Sequence, residues 1–299
     1  MAVVAGAPDK HNPVAGIVWM VAASCCFTVS LSLVKALQDG GMTVFQAVLF
    51  RQVFGLLVFA PVICKIGVES LKTTVPKRHF ARALSGFLGM VTGYYSLSLI
   101  NVADSTALQF TLPFFTMICA IWLLGEKLQT HRVIATIVGF LGVLIIVRPG
   151  FAVFNIGVAL ALAASAFYAM SDTMSRWVAR DDPFPSIMMW NFMFMIPLAL
   201  VPSVIWWVTP PLELWWKLLA FCVAGLGAQF CLTRSFGLAE ASLVSPILFL
   251  RLPLLATVAY FAFGQTTSVW TWVGAGVIFF ATTWMARVET RTAADKVTD

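Results

Sequence analysis

Charge is what this sequence has least of. Only 11% of its residues are Asp, Glu, Lys or Arg, against about 25% in a soluble domain. With 60% hydrophobic residues and a mean hydropathy of +0.91, the chain belongs in a bilayer rather than in water. Metal-binding and redox residues are also sparse. The three histidines, His11, His79 and His131, do not cluster at ligand spacing with the six cysteines. Cys25, Cys26, Cys64, Cys119, Cys222 and Cys231 fall in or at the ends of apolar runs, where cysteine acts as a small packing residue, so no disulfide and no metal are expected. No P-loop, HExxH, GxSxG or Rossmann fingerprint is present, which argues against ATP hydrolysis, a bound cofactor and catalytic residues. The net charge of +6 does not indicate nucleic acid, because the basic residues are spread through short loops and tails.

What the chain does have is apolar runs. The most informative segment is Val102 to Gly150, in which Ser105 to Leu124 and Val133 to Val147 are joined by Gly125-Glu126-Lys127 and closed by Arg148-Pro149-Gly150. About 20 residues of helix cross a hydrocarbon layer. The pattern predicts ten spans: Val14 to Leu37, Val44 to Cys64, Phe80 to Ile100, Ser105 to Leu124, Val133 to Val147, Ile156 to Val178, Phe184 to Trp207, Trp215 to Leu238, Ser242 to Phe263 and Val269 to Ala286. The run from Val14 is too long for a cleaved signal and is expected to remain as the first helix. Trp206, Trp207, Trp215 and Trp216 flank the break at Val208 to Glu213, as an interfacial aromatic belt would.

Orientation follows from Lys and Arg. With the N-terminus cytoplasmic, fourteen basic residues fall on that side and three, Lys35, Arg148 and Lys217, on the other; Arg51 and Arg251 lie within spans. The bias predicts both termini inside. Two internal matches predict a repeat. Gly125-Glu126 aligns with Gly264-Gln265 and Ala135 with Gly274 at a separation of 139; Ala22-Ala23-Ser24 aligns with Ala163-Ala164-Ser165 at 141, which also brings Phe27 onto Tyr168 and Lys35 onto Arg176. Five spans per half would insert the halves with opposite orientation. The expected division is a tail 1–13, repeats 14–150 and 151–286, and a tail 287–299. The expected fold class is all-α integral membrane, with ten transmembrane helices in two inverted-topology five-helix repeats.

These features together resemble the EamA-type members of the drug/metabolite transporter superfamily: a small-residue first helix ending in a basic residue, a Pro-containing fourth span followed by Gly-Glu-Lys, and a Gly-rich fifth span ending in Arg-Pro-Gly. The resemblance covers nearly the whole chain. It implies a central substrate cavity, alternating access and a bacterial inner-membrane location, and its bacterial relatives include exporters of amino acids, aromatic ones among them. Glu126 meets Gln265 at its repeat position, so a duplicated carboxylate is not expected, and Glu126 reads as a helix cap or a partner of a nearby basic residue.

The candidate site residues are the polar and distorting groups inside the spans, where a buried charge is costly unless it faces protein, water or an opposite charge. Arg51, Arg251 and Asp172 meet that description. A guanidinium offers a two-pronged donor for a carboxylate, though each arginine can equally be locked to a neighbouring carbonyl or to Asp172. Tyr94, Gln109, Phe114, Tyr168 and Trp190 are candidates to line a mixed cavity. Lys35 and Arg176 end the first helices of the two halves, as gates or as snorkelling anchors; Asp172 is a candidate for coupling. Pro113, Pro246 and Pro253 distort the fourth and ninth spans. Gly86, Gly89 and Gly93 favour close helix contact without establishing dimerisation. The expectation is a secondary exporter of small metabolites, chiefly amino acids, acting as a monomer or weak homodimer among membrane lipids. The alternatives are an uptake or multidrug transporter of the same superfamily, or a membrane enzyme or sensor.

Overall fold

The computed structural model describes residues 12–66, 73–125, 130–147, 155–239 and 244–298. Within them the chain is helical: α1 (Pro13–Asp39), α2 (Val44–Ile66), α3 (Pro76–Leu99), α4 (Val102–Gln109), α5 (Leu112–Leu124), α6 (Thr130–Val147), α7 (Ile156–Val178), α8 (Phe184–Ile205), α9 (Trp215–Leu238), a 3-10 turn at Ser245–Leu250, α10 (Arg251–Phe263) and α11 (Val269–Thr298). Six spans among the described residues are long and apolar enough to cross a membrane. The fold is an all-α integral-membrane one, with bulky apolar side chains such as Trp122 and Phe261 turned outward.

Asparagine starts α1 and α7. Asn12 accepts from the Ala15 amide at 3.1 Å and Asn155 from that of Gly157 at 2.9 Å, satisfying donors that a helix start leaves free. Helices α5 and α10 end alike, on Gly125 (φ 68°) and Gly264 (φ 62°), the left-handed cap that glycine adopts without penalty. The Glu126, Arg148 and Pro149 readings lie outside the described residues.

Two expected spans are not single helices. The fourth breaks at Phe110-Thr111 between α4 and α5, and the ninth is the 3-10 turn followed by α10. Proline explains both breaks: Pro113 and Pro253 sit in the first turns of α5 and α10 and Pro246 opens the 3-10 turn, so a ring replaces a backbone donor where each helix restarts. The third expected span forms as α3, yet it is absent from the strongly apolar set. Its buried face carries His79, Arg82, Ser96 and three glycines, which a helix enclosed by other helices tolerates and a lipid-facing one does not.

The helices exchange partners in a crossed pattern. α1 packs along α9, α7 along α3, α2 against α8 and α6 against α11. Matching contacts recur in the two exchanged pairs. The Ser24 hydroxyl donates to the Ile247 carbonyl (3.3 Å) and Ser165 to that of Leu108 (3.5 Å). A Cβ on Gly16 would collide with Ala239, and one on Gly157 with Leu99 and Ile100. Phe110 and Phe249 stack on each other where the broken spans cross, with ring centroids 4.0 Å apart.

Candidate functional site

The central polar group is assembled by glycine. On α3, Gly86, Gly89 and Gly93 receive Ser171, Tyr168 and Ala164 of α7; a Cβ on Gly89 would stand 2.9 Å from the Tyr168 ring. The stripe therefore serves packing within the chain. On α9, Gly225 leaves room for Arg51: a Cβ there would meet the guanidinium Nε at 3.2 Å and the Ser30 hydroxyl at 3.3 Å. Through that gap Arg51 of α2 donates to the Tyr94 hydroxyl at 2.7 Å. Tyr94 is buried, its ring edge-on to Phe221 and its carbonyl accepting from Gln38 Nε2 at 2.9 Å.

Arg251 reaches the same region from the other side. It is the first residue of α10, at the break of the ninth span. Its guanidinium carbon lies 4.5 Å from the Phe110 ring centroid and 5.9 Å from that of Phe27, and its buried Nε has no hydrogen-bond partner. Tyr168 lies within electrostatic range of Arg51, Arg251, Tyr94 and Asp172. Among the described residues neither arginine is ion-paired to a carboxylate. The arrangement is two cations and two phenols among aromatic faces, suited to hold an anionic group and a flat ring together.

The other candidates fall elsewhere or play a smaller part. Gln109 donates to Ser105 Oγ at 3.4 Å, and its Nε2 shares the space over Gly93 with the Tyr168 hydroxyl. Phe114 lies across Gly139 of α6, where any Cβ would overlap its ring. Trp190 stacks between His79 and Phe194 at 5.8 and 5.3 Å. Lys35 is paired to Asp39 at 2.7 Å. Asp172 and Arg176 lie on the last turns of α7, Asp172 within electrostatic range of Arg82 and, more weakly, of Arg176. Asp104, in the first turn of α4, accepts from the Thr271 hydroxyl at 2.6 Å.

A second polar cluster, which composition did not single out, closes the face on which α1 begins. Asp182, after α7, accepts from Thr73 Oγ1 at 2.5 Å and is 2.6 Å from Nε2 of fully buried His79. Beside them Arg78 pairs with Asp181 at 2.5 Å and covers Trp177. One turn deeper, buried Arg82 donates to Ser175 Oγ (2.5 Å) and Asn191 Oδ1 (3.0 Å). The sequence signal was the spacing of His79 and Arg82, three apart on the face that continues into Gly86. With Arg82 counted as a loop charge and His79 as an unclustered histidine, they carried no such meaning.

Comparison with known proteins adds three findings. A sequence model described as the EamA-like transporter family matches the chain twice, over residues 14–148 and 155–287. An S-adenosylmethionine uptake transporter of Rickettsia bellii is 28% identical over 253 residues, 85% of this chain and 87% of the relative; a riboflavin transporter of Vibrio cholerae is 26% identical over 94% and 96%. A crystal structure sharing 18% identity superposes with a TM-score of 0.63, covering 94% of this chain and 99% of the other.

Proposed function

The chain belongs to the EamA-like transporter family, a multi-pass inner-membrane secondary transporter of small metabolites and not an enzyme, and from that premise we propose that it takes up a metabolite bearing a flat nitrogen heterocycle. The observation that carries this reading is the pair of inward arginines, Arg51 on Tyr94 and Arg251 over Phe110, with no carboxylate paired to either among the described residues. Charges without a paired carboxylate inside a membrane protein need a counter-charge, and the substrate is the natural source. The rings of Phe27 and Tyr168 offer a stacking surface for the heterocycle, Phe110 being already covered by Phe249 and Arg251.

Support for uptake, against the export that the resemblance implied, comes from the Rickettsia bellii protein, which is named for uptake. They also move the substrate class. S-adenosylmethionine and riboflavin share a flat nitrogen heterocycle on a hydroxylated five-carbon unit, and the first also carries the α-amino and α-carboxyl groups of the expected amino-acid substrates.

The transport cycle is read as alternating access of two inverted five-helix repeats within a ten-span bundle, both termini in the cytoplasm. Support comes from the twofold family match, the left-handed caps at Gly125 and Gly264 and the fourteen-to-three distribution of basic residues. The test is uptake of radiolabelled S-adenosylmethionine, riboflavin and a set of amino acids into proteoliposomes and right-side-out vesicles. Saturable uptake of a heterocyclic metabolite above empty vesicles is expected. Amino-acid flux without heterocycle flux would return the reading to an amino-acid transporter, and no flux of any of them would reject the assigned substrate class.

A further inference from the structure

A cleft of about 680 Å³ opens between α1 and α10 on the face opposite the His79–Asp182 cluster, its walls including Val29, Ser32, Val258, Phe263 and Lys217. That volume lies within the range of small-molecule sites. Its wall is not purely apolar. The Ser32 hydroxyl is buried without a hydrogen-bond partner, although a helical serine ordinarily bonds the carbonyl one turn back. Lys217, at the mouth, makes no ion pair among the described residues and only passes 5.8 Å from the Trp216 ring. The nearby Asp39 is held by Lys35. The inner end leads to the central site: Val29 is two residues from Phe27, and Val258 is seven residues, about 10 Å of helix, from Arg251.

The other face shows what closure of this cleft requires. At the separations of 139 and 141 found in the sequence, Lys217 corresponds to Arg78, and Gly40 and Gly41 to Asp181 and Asp182. There Arg78 meets Asp181 and His79 meets Asp182, and α5 packs along α7 more extensively than α10 does along α1. Here glycines stand where the carboxylates would be, so Lys217 has no fixed partner and the helices stay apart.

We propose that this cleft is the outer vestibule of the transport path and a receiving site for an anionic group, captured by Lys217, held past Ser32 and delivered to Arg251. The proposal rests on the reading of the chain as a transporter with its site at Arg51 and Arg251, but its test reads the cleft and not the flux. Ser32→Cys, with Val29→Cys as a second position, is placed in vesicles exposing this face. The thiol is reacted with the anionic methanethiosulfonate ethylsulfonate and with its cationic trimethylammonium counterpart, each rate divided by that with a free thiol in solution and compared with vesicles lacking the added cysteine. In water an unpaired positive charge at a separation of roughly 10 Å gives an anion preference of about fourfold; a preference of that order is expected, lost in Lys217→Gln and kept in Lys217→Arg. Equal rates for the two reagents, a preference indifferent to Lys217, or no reaction at either position because phospholipid fills the cleft, would overturn the proposal. Failure of heterocycle uptake with the anion preference intact would reject the substrate reading alone.

Discussion

Arg51 and Arg251 are both inward cations, but their surroundings give them different duties. Arg51 has a fixed acceptor in the Tyr94 hydroxyl, whereas Arg251 rests on aromatic faces with a donor unused. Tyr94→Phe keeps the ring against Phe221 and removes only that acceptor, so the protein should fold normally while Arg51 loses its orientation. A hydrogen bond to a charged group contributes about 1.5–3 kcal/mol, and the expected result is a rise in KM of roughly tenfold or more for uptake. Arg251→Gln tests the other role. It should weaken transport of carboxylate-bearing S-adenosylmethionine by about tenfold and change riboflavin uptake far less, because riboflavin has no carboxylate. Equal losses for both substrates would make Arg251 a packing residue.

The helices are held by backbone proximity at a few glycines. At the crossing of α6 and α11, a Cβ on Gly142 would stand 2.8 Å from the Gly274 carbonyl oxygen, and one on Gly274 would stand 2.5 Å from that of Gly142. Neither carbonyl can yield as a side chain would, so Gly274→Ala should destabilise the bundle by about 1–3 kcal/mol, the scale of overpacking. A lowered thermal midpoint in detergent would register the loss. Gly276 lies two residues on in the same helix, and a Cβ there meets nothing within 4 Å; Gly276→Ala should hold or raise the midpoint, since alanine gains up to about 1 kcal/mol of helix propensity, which separates packing from propensity. The broken fourth and ninth spans belong to the same scale. Their prolines announce an interruption, yet the Phe110–Phe249 stack that joins the two breaks depends on how the helices cross.

For the molecule as a whole, one face is tied by His79, Asp182, Thr73 and Arg78 and the opposite face carries the cleft. If transport alternates between the two, loosening the tie should favour the state in which its face opens. Asp182→Asn removes the negative charge that Thr73 and His79 share, and is expected to raise labelling of a cysteine placed at Ser175 from the side on which α1 begins. Labelling of the Ser32→Cys position from the other side should fall in parallel. Unchanged labelling at both positions would mean that the cluster anchors helices without gating them.

Composition and the spacing of apolar runs determined by themselves that this is a helical membrane protein, and they located most helix ends, because the cost of an unsatisfied backbone in lipid leaves a sequence little choice. α7 and α9 begin and end where the apolar pattern does. The prolines and the residues Arg51, Tyr94, Tyr168 and Arg251 were also visible, since polar and distorting groups stand out in an apolar background. Tertiary structure alone decided which of them meet. Tyr94 and Arg51 are 43 positions apart, and their contact requires the space left by Gly225 on a third helix. Phe114 and Trp190 look as suitable as Tyr168 in the sequence, but the direction each helix face points sends one onto Gly139 and the other onto His79. The buried partners of His79 and Arg82 were hidden for the same reason: a charge near the end of an apolar run reads as a loop residue until the neighbouring helices show that it is enclosed.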